Sequence, residues 1–334
     1  MTGNGARPGG RDDGGDASVD EARARSAVRV GVDIGGTKTD AVAVDGGGAV
    51  LGELRVPTGF GAEAVVATTV EAVSSLASQL RVEPREFSSL GVGIPGSVDS
   101  GSGRVAHAVN LGLEGLDLGA ELTSRLGVDA RVENDVNAAA LGVYSRLSSA
   151  DRTISSMAYL NLGTGLAAGL VLGGRLWRGS RGNAGEIGHI PIDPTGPLCP
   201  CGQRGCLETL ASGSAVSRQW PTDHPRPVQE LFEAASAGDA AAEAVWDRLL
   251  GDVASAVRLL VLTVDVDRVV IGGGISSLGD PLLGGVRDTL DGWAAASPFL
   301  ASLGLRERVE LVPAGFPAAA VGAALVGAAT GDAP

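Results

Sequence analysis

A chain of 334 residues, 44% hydrophobic with only 3% aromatic, carries enough Ala, Val and Leu for a large core and for two domains. Its net charge of −13 argues against a nucleic-acid partner, because a phosphate backbone calls for a basic face. No run approaches the ~18 consecutive apolar residues of a membrane helix, and three cysteines packed between Cys199 and Cys206 do not form a disulfide framework.

Residues 1–27, rich in Gly, Asp and Arg and without an apolar core, read as a disordered tail of a cytoplasmic protein and not as a secretory signal. A β-rich run, Val28–Val32, then delivers Asp33 to the turn Gly35-Gly36-Thr37-Lys38, and Ala41–Val44 resumes the strand pattern. Glycines let a backbone approach a ligand closely, and successive turn N–H groups make an anion-binding concavity. Thr37 adds a hydroxyl and Lys38, the only lysine in the chain, a cation; Asp33 offers a hard oxygen where Mg²⁺ would meet a phosphate. A Gly-Gly hairpin without a ligand is the plainer alternative for this stretch.

Further along, three strands across Val28–Val56 are followed by a helix over Glu63–Leu80 and a short buried strand, Ser89–Ile94, that ends in Pro95-Gly96-Ser97. Leu116–Leu126 has helical spacing, Asp129–Val132 reads as a strand, and Asp135 opens an alanine-rich helix to about Leu147 with Asn134 at its N-cap. This βββαβα order suits an α/β domain with a mixed sheet. A second set begins at Thr153–Leu162 and Leu166–Leu172, which flank another glycine turn, Gly163-Thr164-Gly165. Strand, Gly/Thr turn, strand thus occurs once in each half, and two related halves with a cleft between them follow. Helical patterns then fill Pro227–Val264, and Arg268–Ile271 is a strand running into Gly272-Gly273-Gly274. Arg308–Val312 is the last strand, and Ala318–Ala329 a helix of small residues that must pack closely on something.

Two places carry chemistry. Asp135 follows a strand and starts a helix, where a carboxylate can accept the proton of an attacking hydroxyl; a first-turn acid on a helix dipole is the other reading of the same residue. His189, Cys199, Cys201 and Cys206 fall within a short stretch of a chain that holds only three cysteines and three histidines. Cys₃His is a tetrahedral zinc set with no open position, so the metal would be structural. Three reduced cysteines in a loop are the alternative. A zinc clamp would hold Glu186, His189 and Glu208 together as acceptors for a polyhydroxylated ligand. His107 and His224 read as surface or core histidines.

With these pieces in place the chain resembles the ROK family (repressor, open reading frame, kinase), and within it the bacterial glucokinase-type sugar kinases. The matching segments run in order from Asp33–Lys38 (DIGGTK) through Gly93–Asp99, Asn110–Leu113, Glu133–Gly142 and Leu162–Gly165 to Ala184–His189, Cys199–Glu208 and Ile271–Gly274. The resemblance implies an actin-like, ribonuclease-H-like two-domain fold with ATP and sugar meeting in the interdomain cleft. Residues 28–140 plus 316–332 would form the smaller domain, with the last helix folded back onto it, and residues 141–315 the larger one with the zinc loop. By the same resemblance Asp135 is the base. Asp33, Gly35, Gly36, Thr37 and Lys38 would serve Mg²⁺ and the terminal phosphate, with Gly163, Thr164 and Gly165 as a second phosphate loop and Gly273 and Gly274 beside the adenosine. Gly96, Asn110, Asn134, Asp135, Glu186, His189 and Glu208 would hold the sugar, and His189 with Cys199, Cys201 and Cys206 structural Zn²⁺. Departures are Ala167-Ala168 where glycines are usual and Val143 where Glu is common.

The family contains sugar-sensing repressors as well as enzymes. The stretch before Val28 has no helical period for a DNA-reading domain, and a regulator that had lost catalysis would have lost Asp33, Lys38 or Asp135. The expectation is an ATP-dependent hexose kinase acting on glucose, assembled as a homodimer or homotetramer, with N-acetylmannosamine, N-acetylglucosamine or fructose as other acceptors and polyphosphate as another donor.

Overall fold

The computed structural model describes residues 27–328. The expected tail therefore lies, but for its last residue, outside the described residues. β1 (Arg29–Ile34) and β2 (Lys38–Val44) form an antiparallel hairpin, β3 (Val50–Pro57) extends it, and β4 (Ser89–Ile94) lies parallel to β1 on the other side. A small separate sheet, β5 (Ser97–Asp99), β6 (Arg104–Ala108) and β7 (Leu113–Leu116), follows; no periodicity in the sequence announced it. β8 (Ala130–Asn134) then joins β4 in parallel, and the first sheet has the order β3-β2-β1-β4-β8. The strands show their places in their burial. β4 is buried at every position, as a strand covered on both faces must be, whereas β3 alternates as an edge strand with one wet face.

The second half repeats the plan. β9 (Ser156–Leu162), β10 (Leu166–Leu172) and β11 (Arg175–Trp177) form an antiparallel meander, and β12 (Arg268–Gly272) and β13 (Val309–Leu311) add in parallel, giving β11-β10-β9-β12-β13. The two hairpins, β1–β2 and β9–β10, occupy the same place in each sheet, so the two-halves reading of the sequence holds. Helical runs differ in detail. The stretch 227–264 is two helices, Pro227–Ser236 and Ala240–Val264, broken at Gly238 with φ +88° and recapped by Asp239, whose carboxylate accepts the N–H groups of Ala241 and Ala242. The helix Asp280–Ala296, not singled out from sequence, packs Leu282, Val286 and Leu290 into the same core.

Two helices tie the halves together. The helix Asp135–Ala150 leaves the end of β8 and lays Val136, Ala139, Ala140 and Val143 on Met157, Tyr159, Val171 and Val270 of the second sheet. The domain border drawn at residue 140 falls inside this helix. Val143, 1% exposed, is one of its core contacts. The helix Ala318–Ala328 returns to the first sheet, where a Cβ on Gly91 would stand 1.7 Å from the carbonyl oxygen of Ala323 and one on Gly31 1.9 Å from that of Ala320. Its opposite side meets the helix 135–150 as closely: a Cβ on Gly322 would stand 1.7 Å from Ala138 O, and one on Gly142 2.1 Å from Ala318 O. A helix apolar on all sides is a buried one, and this one lies backbone against backbone on both neighbours.

Candidate active site

The parallel strands β1, β4 and β8 end on one edge, the edge where open α/β sheets bind ligands. Asp33 is at the end of β1, Gly93 of β4 pairs with both Asp33 and Glu133, and Asp135 follows two residues after Glu133. Gly93 lies beside both acids: a Cβ there would stand 3.5 Å from the Cα of Asp135 and 3.8 Å from Oδ1 of Asp33. Burial above all, with the nearby carboxylates of Asp135 and Asp40, pushes Asp33 up to about 7, and Lys38 and Arg55 only partly offset them. Asp135 is also raised, by burial above all and by the Glu186 carboxylate, against hydrogen bonds from backbone N–H groups. The Asp33 carboxylate, held up in this way, is a hard oxygen donor that a divalent cation would relieve.

Because the folded protein holds the Asp33 proton more tightly than the unfolded chain, this group's contribution to stability is complete below pH ~4 and is lost as pH rises toward about 7. Without added Mg²⁺, urea unfolding is expected to show wild type losing a few kcal/mol between pH 4.5 and pH 7.5 that Asp33→Asn does not lose. Parallel pH profiles for the two proteins would contradict the assigned environment.

One glycine turn follows Asp33 directly in the first half, and the other joins β9 to β10 in the second. Gly35 donates to Lys38 O at 2.9 Å to close the β1–β2 turn, leaving Gly36, Thr37 and Lys38 exposed. Gly163 donates to Gly165 O at 3.0 Å in the β9–β10 turn, and Gly213 and Ser214 pin that turn through the carbonyls of Gly163 and Thr164. Gly273, at φ +83°, follows β12 beside the end of β9, where a Cβ would lie 2.6 Å from the Leu162 carbonyl; Gly274 begins the short helical turn to Leu278. Ala167 and Ala168, expected to alter the second loop, belong to β10 and pair with Asn161 and Leu160; neither takes a positive φ, so alanine is unstrained there.

A cavity of about 600 Å³ opens between the halves, lined by Gly96, Asn134 and Glu186 together with Glu133, Ala168 and Arg178. Asn134 caps the helix, accepting from the N–H groups of Val136 at 3.0 Å and Asn137 at 3.2 Å, and donates through Nδ2 to Gly96 O at 3.3 Å. Asn110, Asp135, His189 and Glu208 do not line this cavity, although Asp135 lies in the chain between two residues that do, Asn134 and Val136. Asn110 is exposed beside the first turn, its Cβ 3.5 Å from where one on Gly36 would be. Glu208 is turned onto the second turn, its Oε2 accepting the Leu166 N–H at 3.0 Å.

The cysteine loop closes as the residue types required. Ligand atoms of His189, Cys199, Cys201 and Cys206 lie within 4.8 Å of one another, with His189 Nδ1 to Cys199 Sγ and Cys201 Sγ to Cys206 Sγ both 3.7 Å. A tetrahedron of thiolates at ~2.3 Å from zinc has edges of about 3.8 Å. The set therefore fits Zn²⁺ with no open position. Gln203 Nε2 donates to His189 O at 3.0 Å and braces the loop. His107 and His224 do not line the cavity, and His107 is an exposed residue at φ +56°.

Two groups escaped the sequence reading. Tyr159, 6% exposed, lies on β9 where a Cβ on Gly272 would meet its ring, and burial with the charges of Asp135 and Asp33 raises its phenol pKa. Glu133, 2% exposed, pairs with Arg178 across the cleft at 2.7 Å. Tyr159 belongs to none of the matched segments, and Glu133, though it opens one of them, has a partner from across the cleft that only the assembled fold reveals.

Two sheets of one strand order that offer their loops to a shared cleft make an actin-like two-domain fold, and with its acid pair and glycine turns this chain is a sugar kinase, a phosphotransferase with an alcohol acceptor. It belongs to the ROK family: the profile described as "ROK family" matches residues 29–327. A glucokinase of Halalkalibacterium halodurans is 31% identical over 79% of this chain and 86% of its own length, and an N-acetylmannosamine kinase of Haemophilus influenzae is 33% identical over 73% and 79%. Among solved structures, a ROK family glucokinase from Streptomyces griseus in complex with glucose and AMPPNP superimposes with a TM-score of 0.73 at 32% identity, covering 90% of this chain and 99% of that one.

Proposed function

We propose that the protein transfers the γ-phosphoryl group of ATP to the 6-hydroxyl of glucose. The observation that carries this reading is Asp135, raised in pKa mainly by its burial at the start of its helix, between Asn134 and Val136 of the cavity lining. Asp135 accepts the hydroxyl proton as the oxygen attacks phosphorus, and its raised pKa makes it the stronger base. Asn134, Gly96 and Glu186 hold the other hydroxyls; Asn110, His189 and Glu208 join them when the halves close and water is excluded. The turns at Gly35–Lys38 and Gly163–Gly165 cradle the triphosphate, with Gly273 and Gly274 beside the adenosine. Asp33 would hold the Mg²⁺ that neutralises phosphate charge, with Thr37 and Lys38 beside the terminal phosphate. The carboxylates orient the reacting groups, so catalysis rests on position and charge. We place the reaction in the cytoplasm, carried out by a homodimer or homotetramer; no helix among the described residues is long and apolar enough to cross a membrane.

A coupled ADP-release assay over glucose, fructose, N-acetylmannosamine and N-acetylglucosamine, with ATP or polyphosphate as donor, tests this. Glucose with ATP is expected to have the highest kcat/KM. A higher value for an N-acetylhexosamine would move the assignment to that acceptor, and no turnover with any of them would end it. For the zinc loop, Cys201→Ser is expected to abolish stoichiometric zinc by metal analysis and raise the glucose KM at least about tenfold, since lost ligands and their supports cost 10–100-fold in affinity or activity. Wild-type protein without bound zinc would refute the structural-metal reading.

A further inference from the structure

We infer that Arg178 is a positioning residue that fixes the Glu186 segment against the start of the helix bearing Asp135; the inference rests on the kinase reading of this cleft. Arg178 follows β11 in the second half, yet its Nε donates at 2.7 Å to Oε2 of Glu133, at the end of β8 in the first. The pair is desolvated on the acid's side, with side-chain exposures of 27% for Arg178 and 3% for Glu133. The other carboxylate oxygen of Glu133 accepts from Asn137 Nδ2 and from the Asn134 N–H, both at 3.0 Å. One buried acid therefore links the cap residue, the first turn of the helix and an arginine from across the cleft.

The same arginine holds the other end. Its carbonyl accepts the Ala184 N–H at 3.1 Å, closing the loop 178–184 on itself, and Gly185 O accepts the Ala168 N–H at 2.8 Å. Glu186 comes next. Arg178 thus fixes by its main chain where the loop closes and by its side chain where that closed loop stands relative to Asp135. Burying a carboxylate costs about what such a pair returns, so the pair's contribution is geometric more than energetic. Arg178 also lines a second cavity, of about 410 Å³, between Arg131, Tyr144 and Leu325. Its side chain borders both spaces, and shortening it would let the sugar cavity relax into its neighbour.

The test compares Arg178→Ala, Arg178→Lys, Glu133→Gln and the double variant Arg178→Ala/Glu133→Gln. Arg178→Ala is expected to raise the sugar KM and lower kcat, each on the order of tenfold, with the ATP KM within about twofold, because misplacement by an ångström acts on the acceptor and its base. Lysine restores part of the loss through a single ammonium contact. The double variant is expected to be no worse than Arg178→Ala, the non-additivity of a direct contact. Amide hydrogen exchange is expected to rise in 179–186 and 134–137 while β4 and β9 keep their protection. Sugar and ATP KM rising together, or additive effects of the two substitutions, would overturn the inference, and so would unchanged kinetics. Should Arg178→Ala fail to fold, Arg178→Lys and Glu133→Gln are scored by the same split between sugar and ATP. If wild type phosphorylates no sugar, the kinase reading fails and exchange alone judges the contact: unchanged protection of 179–186 in Arg178→Lys or Glu133→Gln rejects it.

Discussion

Asp135→Asn is expected to lower kcat by about 10³-fold, within the 10²–10⁴ range of general-base catalysis, while the glucose Kd changes only a few-fold. The amide keeps an oxygen where Oδ1 of Asp135 now accepts the Val136 N–H at 3.0 Å, so the helix start keeps its geometry. What it loses is the lone pair that takes the proton. Asp33 and Glu186 remain, but neither follows the Asn134 cap into the first turn of that helix. Titration calorimetry for glucose and a coupled assay for turnover separate the two effects. A variant turning over within tenfold of wild type would show that the proton leaves by another route. The acid limb of the wild-type kcat/KM profile should also lie above the ordinary carboxylate range, since burial and Glu186 both raise Asp135.

Gly91→Val is expected to cost stability at or above the ~3 kcal/mol upper end of overpacking penalties, a large part of the ~5–15 kcal/mol that holds a domain. Its Cβ would stand 1.7 Å from a carbonyl oxygen of the helix 318–328, and that helix cannot retreat because Gly322 and Gly142 seat it equally close to the helix 135–150. Loss of soluble protein, or a large drop in urea midpoint, is the expected reading. Gly284→Ala is the control: nothing lies within 4 Å of a Cβ there, and alanine should be neutral or gain up to ~1 kcal/mol in that helix. Equal midpoints for Gly91→Val and wild type would mean that the last helix does not sit where it is described.

Much of this was legible in the chain because each motif has a local cause. Asn134 announced a helix start because a short polar side chain satisfies free N–H groups, and it does so for Val136 and Asn137. The run Ser89–Ile94 announced a buried strand, and β4 is buried at every position. His189 and the three cysteines announced a metal set by residue type alone, and their ligand atoms do converge. What stayed hidden depends on contacts far apart in sequence. Arg178 meets Glu133 only because two sheets face each other, and one arginine among many has no local mark. The hairpin sheet β5–β7 is short and half exposed, with little apolar alternation to read. Glu208 carried the expectation of a sugar acceptor, but its carboxylate rests on the Leu166 amide, a choice that only the folded turn offers.

The return of residues 318–328 to the first sheet also governs the order of assembly. A nascent chain emerges from the ribosome with β1 and β4 long before the segment that covers them, so one face of that sheet stays open through most of translation. The first half is completed last, when the final turn of helix slides between it and the helix 135–150 like a bolt.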